Sequence, residues 1–179
     1  DLEPGRRAGV QVPLFSLASS ESWGIGEIGD LVTLFDWLST AGQRLLQLLP
    51  VHELAPGEVS PYSALSAMAI DPQYVTLGEL EDFHDIGGEE ALEAPLRDDL
   101  AAVRASPRVD YSAVRALKEV ALRRSFAHFE EQHWRIGTAR ADALRAYIAD
   151  EGWWLNDYAL FRALRAELGE RPWPEWPSP

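Results

Sequence analysis

Leu45 to Val51, LLQLLPV, is apolar at every position except Gln47, and Pro50 breaks it off. A strand of this composition has no polar face to offer water. It must be covered on both sides, which is the situation of a strand in a parallel sheet. Upstream, Val10 to Leu17 (VQVPLFSL) reads as a second buried strand. Pro13 near its middle suits a sheet edge or a barrel mouth better than a regular central position. Between the two lie a polar stretch (Ala18 to Trp23), the glycine-rich Gly24 to Gly29, and a helix predicted from an Asp30 N-cap to about Ala41. Its apolar face is Leu31, Leu34, Phe35, Leu38 and Ala41, and Gly42 supplies the stop. Strand, helix, apolar strand is a βαβ unit, and such a unit needs further strands beside it. Only Tyr74 to Leu77 (YVTL) offers a third.

Past Leu80 the periodicity becomes helical. Glu81 to Leu100 is acidic, with one or two short helices. Tyr111 to Trp134 carries Tyr111, Val114, Leu117 and Ala121 at helical spacing, followed by Phe126 and Phe129. Thr138 caps a helix through Ile148 that stops near Gly152, and Trp154 to Leu168 forms another, ended by Gly169. The sequence therefore divides into residues 1–80, a βαβ start with a loop, and residues 81–179, a mostly α-helical inserted subdomain. Large insertions after strands are what decorated (β/α)₈ barrels carry. The predicted class is α/β, the first strands of a partial TIM barrel; a doubly wound sheet is the alternative.

Composition narrows the chemistry. Hydrophobic residues make up 46% and charged residues 25%, enough apolar material for a buried core. A net charge of −13 without a basic patch argues against nucleic-acid partners and favours a neutral substrate. With no cysteine, disulfides and thiolate metal sites are excluded. The four histidines lack ligand spacing, and no run is long enough to span a bilayer or act as a signal peptide, so the expectation is a cytoplasmic protein without membrane partners. The chain starts on Asp1 and closes on RPWPEWPSP, which reads as a piece of something longer.

Gly24, Gly26 and Gly29 match G-x-G-x-x-G ahead of a helix, with Glu53 downstream as a candidate ribose ligand. In a dinucleotide site the first glycine forms the turn directly off the strand, whereas here a polar stretch and Trp23 intervene. Glu53 also falls beyond Pro50, past the strand end. Close packing of a glycine-rich loop before the helix is the favoured reading.

The informative stretch follows the second strand: His52, Glu53, then Ser60-Pro61-Tyr62-Ser63, Ser66-Ala67 and Asp71-Pro72. It lies at the carboxyl end of the sheet, where barrel enzymes place their chemistry. Pro61 restricts Ser60 and orients Tyr62. A tyrosine so held offers a flat apolar face and a hydroxyl, which suit a pyranose ring. On residue chemistry alone, a structural turn with a half-buried tyrosine is the better reading of the stretch. Asp71 before Pro72 reads as an Asx turn or cap rather than a catalytic acid, and Asp157 as a helix-surface residue. The tryptophans read as packing residues, Trp37 in the core and Trp153 and Trp154 at a helix start. Trp173 and Trp176 staple an extended segment or line a groove.

An ordered set of segments resembles the start of a 4-α-glucanotransferase of the amylomaltase (disproportionating enzyme) family. It comprises Gly9-Val10 to Ser16-Leu17, Trp23-Gly24-Ile25-Gly26, Gly42-Gln43, Gln47-Leu48-Leu49-Pro50, Ser60-Pro61-Tyr62, Ser66-Ala67 and Asp71-Pro72. Later come Trp154-Leu155, Asp157-Tyr158-Ala159-Leu160-Phe161 and Trp173 with Trp176-Pro177. The resemblance implies an α-amylase-type barrel without cofactor or metal. The implied reaction is a retaining transfer of a 1,4-α-glucan segment to the 4-hydroxyl of glucose or another glucan, with maltooligosaccharides as partners. It also implies that Tyr62 stacks on sugar near the cleavage point and that Ser60 hydrogen-bonds nearby. His52 and Glu53 have only loose counterparts. The catalytic carboxylates of such a transfer belong to motifs that this sequence does not contain. The expectation is a chain that holds glucan without cutting it. A stand-alone glucan-binding module and a nucleotide-binding oxidoreductase fragment are the rivals.

Overall fold

A computed structural model describes residues 7–177. Strand β1 (Gly9–Val12) pairs in parallel with β2 (Leu45–Leu48), Gly9 opposite Leu45 and Val12 opposite Leu48. A side chain at Gly9 would stand 2.2 Å from the Leu45 carbonyl oxygen, so the closeness of the two strands depends on glycine there. The first strand is shorter than expected. Pro13 has no N–H to extend the ladder, and the chain turns at Leu14–Ser16 to drive Leu14 into the core.

Helix α1 (Asp30–Thr40) completes the βαβ unit, and Gly42 at φ +73° ends it with its N–H on the Ser39 carbonyl. Leu38 is buried and Leu31 and Leu34 are half-buried, but Phe35 and Trp37 are exposed, Trp37 at 62%. The expectation that Trp37 is core is therefore corrected. Two strands about 4.8 Å apart are narrower than a helix about 10 Å across, and they cover one stripe of α1 only. The same geometry leaves Leu45 half exposed, where a strand covered on both faces was expected.

Residues 74–77 form no third strand. Pro72–Tyr74 and Leu77–Glu79 are 3-10 turns, and Tyr74 and Leu77 point into the core. The carbonyls of Gln73 and Val75, which a ladder would use, both accept hydrogen bonds from Lys118 Nζ at 2.7 Å.

The helical half consists of α2 (Glu81–Asp85), α3 (Ala94–Ala105), α4 (Tyr111–Phe129) and α5 (Ala139–Glu167), with a π-helical turn at Glu130–Trp134 between the last two. The Asp110 carboxylate caps α4 by accepting the Ala113 N–H at 3.0 Å, and Val114, Leu117 and Ala121 form its buried stripe. Helices α2 and α3 both pack on α4. Where two helices were expected, split near Gly152, α5 is one helix of 29 residues. An interior glycine costs a helix about 1 kcal/mol, too little to interrupt so long a hydrogen-bond ladder. Trp153 and Trp154 are consequently interior to α5, and Trp153 lies 71% exposed rather than packed. One core joins Leu14, Trp23 and Ile25 to Tyr74, Phe83, Leu100, Val114 and Leu117. Trp23 stands edge-on to Phe83 at 5.8 Å and donates its indole N–H to Glu89 at 2.8 Å.

Candidate functional site

Strand β2 delivers the chain through Leu49 and Pro50 into a loop over residues 51–71. Its stems are tied to each other: Asp71 N–H donates to the Val51 carbonyl (2.9 Å), Glu53 N–H to Ala69 (2.9 Å) and Leu65 N–H to Glu53 (2.8 Å). Isolated antiparallel bridges join His52 to Ile70 and Leu54 to Ala64. At the tip, Ser63 N–H donates to the Ser60 carbonyl at 3.0 Å, closing a tight turn with Pro61 at the position that favours proline. Ser60 is half-buried within this turn, while Tyr62 stands at its crest with 73% of its surface exposed.

The acids of the loop are occupied. Asp71 is fully buried; Oδ2 accepts the Leu54 N–H (3.0 Å) and the Arg115 guanidinium (2.9 Å), and Oδ1 accepts the Gln73 N–H (3.1 Å). It caps the 3-10 turn at Pro72 as an Asx residue does, in line with its sequence reading. Glu53, 7% exposed, accepts the Tyr158 hydroxyl on one oxygen and Arg162 Nε at 2.8 Å on the other. Burial and the neighbouring Glu53 carboxylate push the Tyr158 phenol well above its ordinary value. No local sequence signal ties Arg115 to Asp71 or Tyr158 and Arg162 to Glu53. The first two pairs are 44 and 105 residues apart, and Tyr158 stands out in the sequence only within a segment of the family resemblance. Asp157, one residue before Tyr158, is exposed on α5.

The glycine triplet is a packing device. A Cβ on Gly26 would lie 1.9 Å from the Leu14 carbonyl oxygen, one on Gly24 2.8 Å from Val103, and one on Gly29 2.7 Å from Glu79. Five of the amides leading into α1, those of Trp23, Gly26, Glu27, Ile28 and Gly29, are bonded within the protein. Trp23 N–H donates to Glu27 (2.8 Å), Glu27 N–H to Asp30 (2.7 Å) and Gly29 N–H to Thr76 Oγ1 (2.8 Å). Two carboxylates where a pyrophosphate would sit repel it. Glu53, held by α5, is no ribose ligand. The helix end therefore closes on the protein itself.

Asp82, Asp85 and His128 place one potential metal-ligand atom each within 4.8 Å of one another. Asp82, however, receives Arg140 on Oδ2 and His128 Nδ1 lies 3.0 Å from Oδ1, so this cluster is an ion-pair network holding α5 to α2. Among the described residues no helix is long and apolar enough to cross a membrane.

A parallel βαβ unit, an exposed aromatic turn at the carboxyl end of its second strand and a helical body holding the loop stems define an α/β module with an exposed loop beyond a strand's carboxyl end. Among solved structures it is similar to amylomaltase from Corynebacterium glutamicum, with a TM-score of 0.71 and 28% identity over 97% of this chain and 24% of that one. Among curated proteins it is 30% identical over 181 residues to the 4-alpha-glucanotransferase of Chlamydia trachomatis, covering 99% of this chain and 32% of the relative. It is 34% identical over 158 residues to that of Thermus thermophilus, covering 88% and 29% respectively. The family model described as 4-alpha-glucanotransferase matches residues 12–179, and the chain belongs to that family. It spans about a third of the length of these curated relatives.

Proposed function

We propose that this chain forms the opening portion of a (β/α)₈ barrel 4-α-glucanotransferase of the cytoplasm, residues 1–80 contributing barrel and loop and residues 81–179 a helical insertion. Its Ser60–Tyr62 turn forms one wall of the glucan site. Tyr62 offers its ring face to a glucose unit of a 1,4-α-glucan or maltooligosaccharide, and Ser60 a hydroxyl beside it. The observation that carries this reading is the position of Tyr62: exposed, at the crest of a turn, beyond the carboxyl end of a parallel strand. A retaining double displacement to glucose or another glucan needs a nucleophile and an acid/base on either side of the bond. We assign both to the part of the relatives that this chain does not span, since Glu53 and Asp71 are buried and committed. Titration with maltotriose tests the reading: binding that Tyr62→Ala weakens about tenfold, at unchanged melting temperature, supports it. Unaltered binding in Tyr62→Ala removes it, and glucan transfer by this chain alone would overturn the assignment of the carboxylates.

One observation favours a second reading, a self-contained glucan-binding module. The core joins Leu14 and Trp23 to Val114 and Leu117 without a break. A monomer that melts cooperatively and binds maltotriose through Tyr62 would support the module.

A further inference from the structure

The loop that carries Tyr62 has little structure of its own. Between its stems it holds two isolated bridges and a few turn bonds, and its tip is exposed. A loop of this length left to itself samples many conformations, yet each of its stems carries a buried carboxylate held by the helical half. On the outgoing stem, Glu53 is bound by Tyr158 and Arg162 of α5. On the returning stem, Asp71 is bound by Arg115 of α4. Asp71 also reaches the opposite stem, through the Leu54 N–H. A buried carboxylate without its cationic or hydroxyl partner is costly, so each stem is stable only where these helices place their side chains.

We propose that Arg115, Tyr158 and Arg162 are positioning residues, with Arg115 acting through Asp71 and the other two through Glu53 to fix the direction in which the Ser60–Tyr62 turn is presented. The link to sugar rests on the function proposed above; the clamp itself does not. Arg115 lies on α4 with a quarter of its side chain exposed and spans from one helix to one stem. Arg162 is shared, since its Nη1 also meets Glu170 at 3.1 Å, so the segment just past the end of α5 is drawn into the same clamp. The helical half is thus an adjusting device for a loop that is remote from it in sequence.

The test uses the whole chain and two readouts. Amide hydrogen exchange follows the Leu54, Leu65 and Ala69 N–H groups, and maltotriose titration follows the turn. In Arg115→Met the three loop amides are expected to exchange about tenfold faster while the α4 amides keep their protection. Maltotriose binding should weaken about tenfold with Tyr62 intact, and Arg115→Lys, which keeps the charge, should recover part of both. Tyr158→Phe, which removes one hydroxyl, gives a smaller effect of the same kind and serves if Arg115→Met does not fold. Unchanged loop exchange in both Arg115→Met and Tyr158→Phe overturns the proposal. So does a uniform loss of protection in α4 and the loop that Arg115→Lys does not rescue. A wild-type chain that binds no maltotriose defeats the functional reading alone, because the exchange experiment still decides the clamp.

Discussion

Lys118 and Glu27 meet at 2.6 Å with 1% and 2% of their side chains exposed, a fully buried ion pair between α4 and the segment that leads into α1. Burial pushes the Glu27 carboxyl above its ordinary value and the Lys118 amine below its own, each against the pull of the other. The ammonium group also serves the Gln73 and Val75 carbonyls, and Glu27 the Trp23 N–H. The pair organises three segments around one charge.

Lys118→Met is therefore expected to cost about 3–5 kcal/mol, the usual penalty for leaving a buried charge alone. Glu27→Gln with Lys118→Met should cost less than Lys118→Met by itself. Urea unfolding of the two single variants and the double variant checks this, and equal losses in Lys118→Met and the double variant would contradict it.

Stability should fall on the acid side, and Glu89 should account for part of the slope. Burial alone would raise Glu89, but Arg104 and the Trp23 indole N–H bind its ionised form and hold it below its ordinary value. Asp82 and Glu170 are held low in the same way, by Arg140 with His128 and by Arg162 with Arg165. As pH drops below the ordinary carboxylate range, the unfolded chain takes up protons that the folded one refuses, and stability is lost toward the depressed values. Glu27, raised by burial, works in the opposite sense. Melting curves across the acid range should show a shallower decline for Glu89→Gln than for the parent chain.

Gln73 is 1% exposed, and neither Nε2 nor Oε1 has a hydrogen-bond partner among the described residues. An unsatisfied buried amide costs about 1–3 kcal/mol. Gln73→Met keeps the volume and removes the polar atoms, so it should raise the urea midpoint, by about 1 kcal/mol in stability. A lowered midpoint would show that the amide is satisfied in solution.

Two glycines separate space from conformation. Gly26→Ala drives a methyl group into the backbone at Leu14 and Leu17 and is expected to cost about 3 kcal/mol or more. Gly57→Ala meets nothing within 4 Å and pays only for its φ of +85°, about 1 kcal/mol. Thermal melts rank the two, and a tolerated Gly26→Ala would undo the packing account of the glycine triplet.

Much of the fold was legible where the signal is local. Helix α1 starts at Asp30, although Gly29 rather than Asp30 holds the N-cap position and the Asp30 carboxylate turns back to Ser22 and Glu27. Gly42 and Gly169 follow helix ends at positive φ, and the apolar spacing of Val114, Leu117 and Ala121 marks the buried stripe of α4. Legibility failed where neighbours decide. Nothing near Trp37 tells that the two strands cover only one stripe of α1, and nothing in YVTL tells that Lys118 claims its carbonyls. Propensity alone makes Gly152 a helix stop, but the ladder around it is long enough to carry α5 through. At the candidate site the turn at Ser60–Ser63 and the capping role of Asp71 were readable from Pro61 and Pro72. The ties from Glu53 to Tyr158 and from Asp71 to Arg115 were not, since they join residues that share no periodicity.

Helix α5 grips at both ends: Arg140 holds Asp82 near its start, and Tyr158 and Arg162 hold Glu53 near its finish. Roughly six helical turns separate Arg140 from Arg162, which returns the two arginines to nearly the same side. Inserting or deleting a single residue between them would swing one end by about 100° relative to the other, and one grip would have to let go. The middle of α5 should therefore accept substitutions freely while rejecting changes of length, except those close to a whole number of turns.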